Sequence, residues 1–75
     1  LERDRGVQPL DGWMTRLELS NSDLVRASAD QLNFKMVQKG RKGRWLTPHV
    51  RNKILRAIAA ARPEHVWTLK DLFDY

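Results

Sequence analysis

The sequence contains no cysteine, so neither a disulfide nor a thiolate-bound metal can hold its fold together. No apolar run approaches the roughly 20 residues that a membrane-spanning helix needs, and no signal peptide is visible. We therefore expect a cytoplasmic protein. With only 75 residues, the chain is near the lower limit for a self-sufficient core. Its hydrophobic content of 41%, which includes three Trp and two Phe, nevertheless predicts a folded domain rather than a disordered tail.

The sequence is also poor in residues that could perform catalysis. Its two histidines, His49 and His65, stand alone in the sequence and are expected at the surface rather than as catalytic or metal-binding groups. No cluster of carboxylates and no glycine-rich phosphate loop after a strand is present. We predict that the protein is not an enzyme and that it binds no cofactor or metal.

Acidic residues are missing from the middle of the chain. Between Gln31 and Pro63 there is no Asp or Glu, but there are nine basic residues: Lys35, Lys39, Arg41, Lys42, Arg44, Arg51, Lys53, Arg56 and Arg62. This basic block has a charge of +9, and each flank has a charge of −2, which gives the net charge of +5. Such segregation indicates a polyanionic partner, with nucleic acid as the leading candidate.

The first third of the chain shows weak structural signals. Residues 1–12 have no periodicity, and we predict a disordered leader there, with the domain spanning residues 13–75. Residues 13–19 (WMTRLEL) alternate apolar and polar side chains, which is typical of a strand. Several N-cap candidates then predict a helix from residue 21 or 22 to about residue 27.

The rest of the chain predicts helices. Ser28 and Gln31 have the spacing of a capping box, which predicts a helix over residues 29–42 with Gly43 as its C-cap. Thr47 followed by Pro48 predicts a second helix to about residue 61. Thr68 opens a short helix over residues 69–74; alternatively, residues 65–69 form a strand that pairs with residues 13–19. The fold class is mainly α: a helix-turn-helix bundle of three to four helices, with a short two-stranded β element as an optional addition.

The helix predicted over residues 29–42 has one cationic face. Lys35, Gln38, Lys39 and Lys42 recur at positions i, i+3, i+4 and i+7. Gln can read an adenine edge and Lys a guanine edge, and Asn33 adds a second amide near this face. A merely solvated face normally alternates its charges, whereas this face contains no acid, which favours nucleic-acid contact. Gly40, on the other side, would allow close approach of a neighbouring helix.

The following helix has a buried stripe, predicted for Val50, Ile54, Ala57, Ile58 and Ala61, and a polar side with His49, Asn52, Lys53 and Arg56. Its N-terminus, with Thr47 and His49, could bind a phosphate, or Thr47 could only cap its own helix.

Two aromatic groups have alternative roles. Trp45, in the cationic loop 40–45, either closes the core, which we favour, or stacks on a base of single-stranded nucleic acid. The apolar cluster at residues 67–75 (Trp67, Leu69, Leu72, Phe73 and Tyr75) is either a wall of the core or a patch for a protein partner.

The run NFKMVQKGRKGRWLTPHVRNKILRAI, residues 33–58, resembles the lambda-repressor-like (Xre-type) helix-turn-helix family. Gly43 matches the glycine after the recognition helix, Lys53-Ile54 with Ala57-Ile58 matches the downstream helix, and SNSDLV at residues 20–25 resembles the start of the preceding helix. The resemblance covers residues 20–59. It implies that Asn33, Lys35, Gln38 and Lys39 face the major groove, that Lys42, Arg44 and the Thr47 region hold phosphates, and that the protein binds as a homodimer.

We therefore predict a transcriptional regulator, a repressor associated with the nucleoid, that binds double-stranded DNA in a sequence-specific manner. The predicted contact residues are Asn33, Lys35, Gln38, Lys39, Arg41, Lys42, Arg44, Thr47, His49 and Lys53. The alternatives are an RNA-binding protein that uses the loop 40–45 and an antitoxin-like interaction module that uses residues 67–75.

Overall fold

The first helix is one that the sequence patterns did not predict. The computed structural model describes residues 6–29 and 31–74, and its first helix, α1, spans Pro9–Arg16. Pro9 lies at the start of the helix, where its missing N–H is not needed. Residues 13–16 are thus helical, and the strand prediction for residues 13–19 is wrong. The apolar side chains follow a helical spacing that starts before residue 13: Leu10, Trp13, Met14 and Leu17.

The segment before α1 packs on the rest of the fold. Gln8 is only 2% exposed, its backbone N–H donates to the Arg41 carbonyl at 3.2 Å, and its Oε1 accepts from the Asp74 N–H at 2.8 Å. Leu10 is fully buried. The prediction of a disordered leader is therefore corrected for residues 6–12, while residues 1–5 lie outside the described residues. These contacts and the packing of α1 bring the two ends of the described chain together. No strand occurs within residues 6–29 and 31–74.

Helix α1 ends with a residue in the left-handed conformation. Glu18 has φ 57°, its N–H donates to the Thr15 carbonyl at 3.2 Å, and the Leu19 N–H donates to the Met14 carbonyl at 2.8 Å. This is a Schellman ending, in which glycine usually occupies the left-handed position. A side chain at this position is unfavourable, because in the left-handed conformation its Cβ lies too close to the following carbonyl oxygen.

Replacing Glu18 with glycine should raise the free energy of unfolding by about 0.5–1 kcal/mol, since the relief of left-handed strain exceeds the added backbone entropy. Urea denaturation measures the change. The control is Glu18→Ala, which removes the same carboxylate but keeps Cβ. An equal gain in both variants would attribute the effect to charge rather than to backbone conformation.

Helix α2 spans Asn21–Ala27, as predicted, and Ser20 caps it. The Ser20 Oγ accepts from the Asp23 N–H at 3.1 Å, and the Ser20 N–H donates to the Asp23 carboxylate at 2.8 Å, which completes a capping box. The hydrogen bond from the Ser20 N–H, followed by the one from the Arg26 side chain, lowers the pKa of Asp23.

Helix α3 spans Phe34–Lys42 and begins five residues later than predicted. Ser28 ends α2 instead of capping α3, and Gln31 has φ 58°, which a right-handed helix excludes. The N-cap is Asn33, whose Oδ1 accepts from the Met36 N–H at 2.9 Å. The predicted C-cap is confirmed: Gly43 has φ 94°.

The last two helices confirm their predicted starts. Helix α4 spans Pro48–Ala61 with Thr47 as its N-cap, and α5 spans Leu69–Leu72 with a capping box between Thr68 and Asp71. Helix α2 packs against α3 and α4, while α1 packs against α3 and α5. The mainly α fold class is confirmed. No helix in the described ranges is long and apolar enough to cross a membrane.

All five helices contribute to one core. Its fully buried members include Leu10, Met14, Leu24, Val37, Ile54, Ile58 and Leu72. In the α4 stripe, Ile54, Ala57 and Ile58 are buried as predicted, with Val50 and Ala61 partly buried. The close approach predicted at Gly40 is confirmed, because a Cβ there would lie 3.2 Å from the Cδ1 atoms of both Ile54 and Leu46.

The structure resolves the two aromatic alternatives. Trp45 is 48% exposed, so the prediction that it closes the core is wrong; the smaller Leu46 fills the space between α3 and α4. In the C-terminal cluster, Trp67, Leu72 and Phe73 are buried and form a wall of the core. Tyr75 lies outside the described residues.

Candidate nucleic-acid interface

Helix α3 separates its apolar and cationic residues onto opposite sides. Val37 and Gly40 are buried, while Lys35, Lys39 and Lys42 are exposed on the other side with the half-buried Gln38. At 3.6 residues per turn, these four polar positions form one continuous face. The packing of α3 against α1, α2 and α4 therefore fixes this face toward solvent.

The turn after α3 brings a further cation to this face. Because Gly43 is left-handed, the chain reverses, and the Arg44 N–H donates to the Lys39 carbonyl at 3.0 Å. Together, the face and the turn enclose a shallow groove of about 230 Å³. We name it the α3 groove, and its lining residues are Lys35, Gln38, Lys39, Lys42 and Arg44. Five of the ten predicted contact residues are thus brought together around one concavity.

Electrostatics in the α3 groove favour an anion. Four of its five lining side chains carry a positive charge, and the fifth is an amide that can both donate and accept hydrogen bonds. These closely spaced positive charges repel one another, and a bound polyanion would relieve that repulsion. The groove is open to solvent, so long flexible lysines could reach phosphates on an extended ligand.

Arg41, also a predicted contact residue, has a structural role instead. Its Nε donates to Asp11 Oδ1 at 2.6 Å, and one of its terminal nitrogens donates to Asn21 Oδ1 at 2.8 Å. The guanidinium therefore joins α3 to α1 and α2, and its side chain is only 22% exposed. It does not line the α3 groove.

Replacing Arg41 with alanine should lower the free energy of unfolding by about 1–2 kcal/mol, because it removes two partly buried, charge-assisted hydrogen bonds. Thermal denaturation followed by circular dichroism measures the loss. The neighbouring Lys42→Ala is the matched control, since Lys42 is exposed and lines the groove. Equal stability of the two variants would argue against the structural role of Arg41.

The remaining predicted contact residues lie away from the groove lining. Asn33 and Thr47 are exposed N-caps, and Thr47 Oγ1 accepts from the Val50 N–H at 3.3 Å. The side-chain oxygen of each of these two residues therefore accepts a hydrogen bond from a backbone N–H of its own helix. His49 is exposed in the first turn of α4, and Lys53 is partly buried further along that helix.

Two other arginines of the basic block contact backbone carbonyls. Arg51 donates to the Leu46 carbonyl at 3.2 Å, and Arg62 donates to the Leu17 carbonyl at 3.1 Å and to the Ala61 carbonyl at 2.8 Å. The Arg51 contact holds the connection before α4 in place. The Arg62 contacts lie at the C-terminal end of α4 and join it to the segment after α1. Sequence reasoning did not assign these roles; the position of Arg62 near a helix C-terminus is the one signal that could have indicated its role.

Histidine and tryptophan rings form a separate cluster near α1. The ring centroids of His65 and Trp67 are 4.2 Å apart, and Trp13 lies 5.1 Å from both. Arg16 lies over the Trp13 ring at 5.1 Å. Both His65 and His49 are exposed, as predicted. Among the described residues, no three His, Asp or Glu side chains are placed to hold a metal ion.

Comparison with known proteins adds no relative: no family model, no curated protein and no solved structure matches the chain.

Proposed function

We propose that this protein binds double-stranded DNA through the α3 groove and acts as a transcriptional regulator, a repressor. The observation that carries the proposal is the convergence of four cations and one amide around the α3 groove. An α-helix fits the major groove, which is about 12 Å wide. Gln38 would read a base edge, while Lys42 and Arg44, at the end of the helix, would hold phosphates.

The arrangement of α2 and α3 supports this proposal. These two helices are consecutive and pack against each other, as the two helices of a helix-turn-helix unit do. The connection between Ala27 and Phe34 has six residues, which exceeds the three to four residues of the usual turn. By analogy with the family that the sequence resembles, we propose a two-fold dimer on paired half-sites.

A salt titration tests the proposal. Binding of a random duplex of about 20 base pairs, followed by fluorescence anisotropy, should weaken with a slope of log affinity against log salt near −5 if roughly six phosphates are neutralised. Lys42→Ala should flatten the slope by about one unit, whereas Arg41→Ala should leave it unchanged. Lys70→Ala, an exposed change in α5, is the control. A flat slope, or no binding at low salt, would refute the proposal.

Sequence specificity requires a separate experiment. A preferred duplex is first selected from a random pool with the wild-type protein. Gln38→Ala should then lower the discrimination between the right and wrong base at one position of that duplex by roughly 1–3 kcal/mol. Equal losses on the selected and random duplexes would mean that Gln38 does not read a base.

A further inference from the structure

Trp45 is a large apolar side chain on the surface of a domain that has few of them. It is 48% exposed, whereas Trp67 is 9% exposed and packs against Trp13. A small domain gains much of its stability from buried aromatic rings. An exposed Trp that directly follows the groove-lining Arg44 in the chain is therefore a candidate contact residue, since exposed aromatic rings next to cations are used for stacking on bases.

The backbone on both sides of Trp45 is anchored. The preceding residue, Arg44, lines the α3 groove and is tied to α3 by the hydrogen bond from its N–H to the Lys39 carbonyl. The following residue, Leu46, is 7% exposed and contributes to the core. The ring is thus presented from a fixed connection at the C-terminal end of the groove, which limits the entropy lost when it binds.

A second exposed ring stands at the other end of the same helix. Phe34, the first residue of α3, is 51% exposed and immediately precedes Lys35 of the groove. The nine residues of α3 span about 13 Å. In the chain, the groove-lining residues lie between Phe34 and Trp45. Cations together with exposed aromatic rings form the combination with which proteins bind single strands: lysines follow the backbone, and rings stack on bases.

We propose that the α3 groove also binds single-stranded nucleic acid, with Trp45 stacking on an unpaired base. This inference shares with the proposed function the assignment of the groove to nucleic acid, but it requires a different ligand. In a duplex the faces of each base are covered by its neighbours, so stacking on Trp45 requires an unpaired nucleotide. Phe34 offers a second stacking position at the opposite end.

The test is a fluorescence and anisotropy titration with three probes: an oligo-dT and an oligo-U strand of roughly 12 nucleotides, and the random duplex. We expect both single strands to quench Trp fluorescence and the duplex to leave it unchanged. Trp45→Ala should weaken single-strand binding about tenfold and duplex binding less than about twofold. The comparison of oligo-dT with oligo-U shows which sugar is preferred.

Two control variants separate stacking from loss of structure. Trp45→Phe keeps an aromatic face, so it should retain most of the single-strand affinity while abolishing the quenching signal. Val66→Ala trims another exposed apolar side chain, which is 86% exposed, and should change neither signal.

The outcomes distinguish this inference from the proposed function. Single-strand binding that Trp45→Ala leaves unchanged, or an absence of single-strand binding, overturns the inference, even if the duplex binds with a steep salt dependence. Binding of single strands that depends on Trp45, without duplex binding, supports the inference and refutes the proposed function.

Discussion

Replacing Gly43 with alanine should lower the free energy of unfolding by about 3 kcal/mol and the Tm by roughly 15 °C. Gly43 has φ 94°, which disfavours any side chain. A Cβ at this position would also lie 1.8 Å from the Gly6 carbonyl oxygen, so the segment before α1 would have to leave its place against α3. Differential scanning calorimetry measures the change.

Gly12→Ala is the matched control for this variant. Gly12 lies within α1, and nothing is found within 4 Å of the Cβ that alanine would add. That substitution should raise the free energy of unfolding by about 0.5–1 kcal/mol, because alanine restricts the unfolded chain and favours the helix. A loss of only about 1–2 kcal/mol, which the left-handed φ alone would cause, would show that residues 6–8 are not seated against α3 in solution, and wild-type stability would contradict both causes.

Reversing two charges in the α3 groove should nearly abolish duplex binding. The double variant Lys39→Glu/Lys42→Glu replaces two cations of the α3 groove with two charges that repel the duplex, so affinity at physiological salt should fall roughly 30- to 100-fold. The slope of log affinity against log salt should flatten by about two units. Anisotropy with the random duplex at several salt concentrations measures both quantities.

The control for charge reversal is Lys70→Glu, which changes an exposed lysine of α5 that lies outside the groove. It should weaken binding by less than about threefold, as expected for a distant and screened charge. Circular dichroism must show that both proteins remain helical. If the two proteins lose affinity equally, binding depends on net charge and not on the α3 groove.

Capping signals predicted the second half of the fold better than the first. Thr47 with Pro48, and Thr68 with Asp71, mark true helix starts because their side chains satisfy local N–H groups whatever surrounds them. The Ser28 to Gln31 pattern failed because the left-handed Gln31 cannot belong to a helix. Alternation over residues 13–19 also misled, since its apolar positions fit a helix once Leu10 is included.

The candidate site was partly predictable for a related reason. Lys35, Gln38, Lys39 and Lys42 share a face by helical spacing alone, so a single local property placed them together. Arg41 and Lys42 are adjacent cations with opposite fates, because only the packing of α1 and α2 brings Asp11 and Asn21 to Arg41. The exposure of Trp45 depends on which neighbour fills the space between two helices, and no local pattern encodes that choice.

The hydrogen bond between Gln8 and Asp74 has a consequence for the order of folding. It joins residues that are 66 positions apart, and closing so long a loop is entropically unfavourable until the helices between them have collapsed. We therefore expect the two ends of the described chain to dock late. During synthesis, α2, α3 and α4 are all made before residues 72–74 can close the core. We therefore expect the cationic face of α3 to form before the two ends dock, so that it can meet polyanions before the native fold is complete.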